Sequence, residues 1–318
     1  MMSSTRMRIA AAVATIALVA TTAAPAFALT AVHLKISGST TLFPLASKWA
    51  SVYKGASSGS SITVVGGGSG KGIGDVNAGT VAIGMSSRMK ATNGSDGGAV
   101  FTPVARDALV IVVNAAFQKK YLNYIYRMSQ TQVQQIFTGQ ITIWKQINSH
   151  LPNHSINLVG RTGSSGTYTY FKQMFLTNGT ADGLIGKTTY KQSSRTKTLA
   201  SNGMVLSTVS NDMYAIGYLS EAYVNKSVKA LNLPRPKYYY DSDYVEHATP
   251  AKYVGQWVAP STTAALKGAG SASGAYVYVR PLYFVTQHAP TGDAASFINW
   301  CKGAGQSYVS GQHFLRMD

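Results

Sequence analysis

Carboxylates are scarce in this chain: 11 aspartate and glutamate residues stand against 28 lysine and arginine. Paired carboxylates for acid–base work find no convincing placement among so few. Cysteine is nearly absent too. Cys301 is the only one, so an intramolecular disulfide is impossible and core packing alone must hold the fold. It lies in a helix-like run over residues 295–301, where nothing nearby would activate it, and a buried, inert thiol is expected. Long apolar runs are missing after the first 28 residues, so no later stretch is expected to span a membrane. Internal repeats and low-complexity linkers are missing as well.

The start of the chain is different. Arg6 and Arg8 precede an apolar, alanine-rich run over residues 9–24, and Ala26-Phe27-Ala28 follows with small-x-small spacing. This pattern predicts a secretory signal peptide over residues 1–28, cleaved after Ala28, and a periplasmic or secreted mature protein. No cysteine follows the run, which argues against a lipoprotein anchor. Removing Arg6 and Arg8 lowers the formal charge from +17 by two, to +15. Such a surface attracts anions. The cations are scattered, with no basic helix and no basic tract interleaved with aromatics, so nucleic acid is not an expected partner. One reading of the missing acids is an acidic exterior, where carboxylates titrate and paired ones lose their attraction.

Four clusters of glycine and hydroxyl residues carry the chemistry. Gly160-Arg161-Thr162-Gly163-Ser164-Ser165-Gly166-Thr167 joins a short apolar run, residues 156–159, to a helix-like run over 168–176. Glycines let the backbone approach a ligand, and a helix start presents free N–H groups and hydroxyls at one spot. Arg161 adds a permanently charged fork of donors. Everything here donates, so the ligand it suits is an oxyanion. Alone, the stretch could be an ordinary capped turn. The same chemistry recurs, however. Ser39-Thr40-Thr41 links an alternating run at 33–36 to a helix over 42–53, with Leu45, Trp49 and Val52 inward. Gly66 to Gly74 follows the β-branched run Ser61-Ile62-Thr63-Val64-Val65, and Ser69 is its donor. Ser86-Ser87-Arg88 ends a strand over 81–85.

The remaining pattern is α/β. Residues 107–114 read as a buried strand, residues 130–137 as a helix stopped by Gly139, 215–219 and 277–286 as strands, and 294–302 as the last helix. Residues 91–98 read as a surface loop, and 234–260, rich in proline and tyrosine, resist assignment. Alternating strands and helices predict mainly parallel sheets, whose ligands bind outside the carboxyl ends of strands. All four clusters sit at such ends, so one shared site explains them better than four separate turns.

In this order the clusters resemble the periplasmic phosphate-binding proteins of phosphate ABC transporters, the PstS family, from about His33 to the C-terminus. Ile36-Ser37-Gly38-Ser39-Thr40-Thr41, Gly68-Ser69-Gly70, Ile83-Gly84-Met85-Ser86-Ser87-Arg88, residues 161–167, Ala215-Ile216-Gly217-Tyr218 and Arg280-Pro281-Leu282-Tyr283 carry the likeness. The resemblance implies a two-lobed type II binding-protein fold with hinge strands, closing over one phosphate and delivering it to a membrane permease. Residues 32–113 with 250–318 would form one lobe, and 114–249 the other. It places phosphate ligands at Thr40, Thr41, Ser69, Arg161, Ser165, Gly166 and Thr167, with Ser39 beside them. Ser87 is a further candidate ligand: many members have an aspartate at its position, and this chain has serine there, as in a Ser-Ser-Arg subgroup. Many members also have an aspartate where Gly163 stands. Arg88 and Asp107 are second-rank candidates, the latter as a substitute acid. A monomer without cofactor is expected.

Enzyme readings fare worse. Gly55-Ala56-Ser57-Ser58-Gly59 matches a hydrolase elbow but follows a helix and precedes a strand, the reverse of what that elbow needs. Gly66 to Gly74 fails the P-loop spacing, because Val65 stands where the first glycine belongs and Gly72 replaces the hydroxyl. Six histidines show no metal-binding spacing. Phosphoester hydrolysis, binding of sulfate or molybdate, and adhesion through the basic surface remain as alternatives.

Overall fold

The structure is a computed structural model that describes residues 29–176, 190–236, 238–240, 246–261 and 274–317. The expected signal peptide, residues 1–28, lies outside the described residues. Two βα runs organise the chain. The first is β1 (His33–Gly38), α1 (Phe43–Ala56), β2 (Ser61–Gly66), α2 (Ser69–Asn77) and β3 (Ile83–Ser86), followed by the long β4 (Val100–Asn114). After α3 (Ala115–Lys120) and α4 (Gln130–Thr138) comes the second run: β5 (Asn157–Arg161), α5 (Gly166–Phe175), β6 (Lys197–Leu199), α6 (Asn202–Asn211) and β7 (Ala215–Ser220). Short strands follow, namely β8 (Val228–Ala230), β9 (Leu233–Pro234), β10 (Tyr238–Tyr240), β11 (Glu246–Ala248) and β12 (Trp257–Val258). The chain closes with β13 (Val279–Thr286) and α7 (Gly292–Lys302).

One sheet runs β2-β1-β3-β13-β4-β7-β5-β6, with β8 also on β4. Its two ends are parallel, β2-β1-β3 and β7-β5-β6, because each neighbour there is reached through a crossover helix. The expectation of a mainly parallel sheet fails in the middle. There β13 lies antiparallel between β3 and β4, and β4 antiparallel to β7. β4 passes through both halves of the sheet: Val100 to Ala108 pair with β13, and Leu109 to Val113 with β7. It starts seven residues before the strand read from sequence. Pro103 hid that start, since proline demotes a strand reading; it sits where the β13 register shifts, a bulge that tolerates it.

Apolar spacing explains the core. In α1, Leu45, Trp49 and Tyr53 are four apart and fully buried, and Tyr53 takes the place expected of Val52. They pack with Phe284, Phe297 and Cys301, Tyr53 edge-on to Phe297 with ring centroids 5.4 Å apart. Burial pushes the Cys301 thiol well up from its ordinary value, which keeps it protonated and inert. A second cluster surrounds β4, β5 and β7, where Phe171 of α5 stacks on Tyr218 of β7 at 3.8 Å. α4 begins at a Ser129–Gln132 capping box and ends at Gly139 in the left-handed conformation, φ 85°. Ser57 of the elbow-like motif is buried and donates to the Leu29 carbonyl, an end-of-helix role.

Candidate functional site

The strand-to-helix turns put the clusters side by side. The parallel register aligns Gly38 of β1 with Gly66 of β2 and Met85 of β3, so the residues that follow these strands leave the sheet at one edge. Ser69 and Gly166 are the first residues of α2 and α5. Two helix starts therefore flank the same spot, with the Gly70, Thr167 and Tyr168 N–H groups already donating within the cluster. α2 lies very close to the sheet. A Cβ on Gly72 would be 2.6 Å from the Ser37 carbonyl oxygen and 2.8 Å from that of Met85. In this loop, glycine serves helix–strand approach more than flexibility. A Cβ on Gly166 would come within 2.5 Å of both the Ser69 and Ser87 hydroxyl oxygens.

Contacts join the first βα run to the second. Arg161 is buried and donates to Thr40 Oγ1 at 2.9 Å, to Asn202 Oδ1 at 2.7 Å, and to the Leu199 and Ala200 carbonyls. Thr41 Oγ1 and Thr167 Oγ1 are 3.0 Å apart, and Asn202 Nδ2 donates to Thr41 Oγ1. The Gly70 N–H donates to the Ser164 carbonyl, 3.0 Å. Ser69 and Ser87 hydroxyls are 3.3 Å apart, and the Ser87 N–H donates to Ser69 Oγ. Tyr223 donates to the Thr40 carbonyl at 2.6 Å. Burial, opposed by the Arg161 charge, leaves its hydroxyl pushed up to about 12.

Ser39 and Ser165 act as caps. Ser39 Oγ accepts from the Thr41 and Leu42 N–H groups, and Ser165 Oγ from those of Thr167 and Tyr168. Each keeps its own hydroxyl hydrogen to offer. Arg161, without an aspartate at position 163, finds neutral partners; among the described residues no carboxylate pairs with it. Burial, then the nearby Arg280 charge, pulls the guanidinium down to about 10.

Arg280 is the residue the sequence reading missed. It is fully buried, donates to Thr41 Oγ1, Thr167 Oγ1 and the Ser87 and Gly166 carbonyls, and holds Asp107 through a 2.9 Å ion pair. A single guanidinium thus ties three of the four clusters together. Asp107 stands directly opposite it in the β4–β13 register and accepts from Ser220 Oγ at 2.5 Å. Complete burial pushes the Asp107 carboxyl up, while Arg280 and Ser220 pull it back. The signal was legible in part: Arg280 is the one charge in the apolar strand β13, and a buried charge requires a partner. That the partner is Asp107 follows only from the β4–β13 register. Asn202 carried no such signal, because an amide at a helix start reads as ordinary.

Arg88 is not part of the cluster. It forks onto Asp96 with two 2.6 Å bonds, and Asp96 also accepts the Ala91 N–H. Residues 91–98 are therefore more than a surface loop, since Asp96 is buried. Burial pushes the Asp96 carboxyl up, but the fork and the Ala91 N–H outweigh it and hold it below its usual value.

Two guanidiniums, one carboxylate, several hydroxyls and two helix starts converge. The balance is positive and rich in donors, as an oxyanion requires. Among the described residues no group of three histidine, cysteine or acidic side chains could hold a metal ion.

Known proteins share this plan. The phosphate-binding protein PstS of Borreliella burgdorferi is 28% identical over 203 residues, 63% of this chain and 68% of that protein. The PstS of Staphylococcus epidermidis is 26% identical over 115 residues, 36% of this chain but only 30% of that protein. A putative phosphate ABC transporter substrate-binding protein with bound phosphate, from Clostridium perfringens, superposes with a TM-score of 0.68 at 24% identity. It covers 90% of this chain and 100% of its own. The model of the PBP superfamily domain matches residues 19–302, and the chain belongs to that superfamily.

Proposed function

We propose that this protein captures inorganic phosphate between the two halves of its sheet and hands it to an ABC transporter permease. The observation that carries this reading is the meeting of Thr40, Thr41, Ser69, Ser87, Arg161, Gly166 and Thr167, drawn from both βα runs, around the Arg280 guanidinium. The names of the relatives, phosphate-binding in each case, support it. Residues 32–113 with 250–318 act as one lobe and 114–249 as the other, with β4 as a strand common to both. Outside the membrane the protein works as a monomer, and it binds without turning its ligand over. Both Asp107 oxygens are engaged, by Arg280 and Ser220. Calorimetric titration of residues 29–318 with phosphate, sulfate and molybdate tests this. One phosphate per chain is expected. Heat only from molybdate or sulfate, or release of phosphate from p-nitrophenyl phosphate, contradicts it.

A further inference from the structure

Away from this site, three of the four exposed aromatic side chains among the described residues gather in one cleft. They are Tyr124, Tyr126 and Trp257, 38%, 39% and 38% exposed. Singly exposed apolar side chains are ordinary, whereas their gathering in one place draws attention to that surface. The cleft has a volume of about 500 Å³. It lies between the segment leading into α4 and the β12 strand.

Each ring packs against a neighbouring side chain. The Arg127 guanidinium sits 5.1 Å from the Tyr126 ring centroid and 5.0 Å from that of Trp257. Tyr124 stacks on His150 with centroids 4.5 Å apart and planes 2° from parallel. Rings fixed in this way lose little freedom when a ligand covers their open faces. Polar groups with spare capacity line the same cleft. Gln132 Oε1 accepts from the Ser129 N–H, and Asn148 Oδ1 accepts from the His150 N–H. Their NH₂ groups have no partner among the described residues, and the Arg127 guanidinium donates no hydrogen bond there. Among the described residues no acid lines the cleft.

We propose that this cleft binds an acidic saccharide. Aromatic faces carry negative quadrupole charge and suit the C–H face of a pyranose. Amide NH₂ groups suit its hydroxyls. A guanidinium with its N–H groups uncommitted suits a carboxylate on the sugar. A proline-rich peptide would also use aromatic rings, and its carbonyls can accept hydrogen bonds, but it carries no negative charge to match the guanidinium, so the lining favours the acidic sugar.

The test is a calorimetric titration of residues 29–318 with trigalacturonate, maltotriose, polyaspartate and a proline-rich peptide. It is repeated on Trp257→Ala and Arg127→Gln, and phosphate titration and thermal unfolding check that the variants remain intact. Trigalacturonate is expected to bind, and each substitution to weaken it at least ten-fold while phosphate binding stays unchanged. Binding that survives both substitutions, or polyaspartate binding as tightly, would reduce the effect to general attraction by a basic surface and overturn the proposal. Maltotriose equalling trigalacturonate would remove the role of Arg127 and overturn the acidic-sugar assignment. Binding of the peptide and not the sugar overturns it outright.

Discussion

In the proposed site, Arg161 and Ser87 are the residues expected to bear most on affinity and choice of anion. A hydrogen bond to a charged group is worth about 1.5–3 kcal/mol net, so losing a two-pronged guanidinium should cost roughly two decades of affinity or more. Arg161→Ala should therefore lose tight phosphate binding in a titration; unchanged affinity would take it out of the site. In the proposed site, discrimination falls to Ser87. Phosphate at neutral pH carries a hydrogen and sulfate none, and a carboxylate at this position would accept that hydrogen and repel sulfate. A hydroxyl can accept from one and donate to the other. Asp107 is committed to Arg280 and Ser220. Phosphate binding in excess sulfate should accordingly weaken in the wild type and recover in Ser87→Asp. If the wild type ignores sulfate and Asp107→Asn does not, Asp107 is the acceptor instead. The hydroxyls and Arg161 were legible in the sequence because donors recur at strand ends. Arg280 and Asn202 were not picked out, since their roles depend on the β4–β13 register and on where α6 begins.

At the scale of elements, α5 and the loop after β3 make opposite predictions. Gly166 lacks a positive φ, so alanine suits its backbone, and only the approach of Ser69 and Ser87 forbids the extra carbon. Gly166→Ala should weaken phosphate binding while far-ultraviolet circular dichroism stays the same. A binding curve that matches the wild type would mean α5 does not close on those serines. Arg88→Gln should leave phosphate affinity alone and cost about 1.5–3 kcal/mol of stability, a drop of several degrees in Tm. The sign with pH follows from the lowered Asp96 value. The fork's contribution is present in full above the unfolded carboxyl value of about 3.9 and is lost as pH falls through the lower folded one. The Tm gap between wild type and Arg88→Gln should hold steady from pH 5 to 8 and close below about pH 4. A gap that persists in acid would mean Asp96 is not the partner that matters. Helices and parallel strands were readable from periodicity. The first half of β4 was not, because Pro103 breaks the pattern at a bulge, and the buried role of Asp96 depends on a contact eight residues back.

The molecule is built on one large sheet with two parallel ends and an antiparallel middle, beside two small two-stranded sheets, β10–β11 and β9–β12, and the proposed site lies where its two βα runs meet. Composition and strand–helix alternation foretold an α/β chain. They could not show that β13 inserts between β3 and β4, since that pairing joins segments almost 200 residues apart. The central claim is that the two halves close on one phosphate. Thr40 reaches Arg161, Thr41 reaches Thr167, and Gly70 reaches Ser164 across the divide. A ligand shifts such an arrangement only by binding one state better than the other. The most direct measurement is small-angle X-ray scattering of residues 29–318, with and without saturating phosphate. The radius of gyration should fall when phosphate is added and stay unchanged for Arg161→Ala at the same concentration. Identical wild-type profiles with and without phosphate would contradict the account.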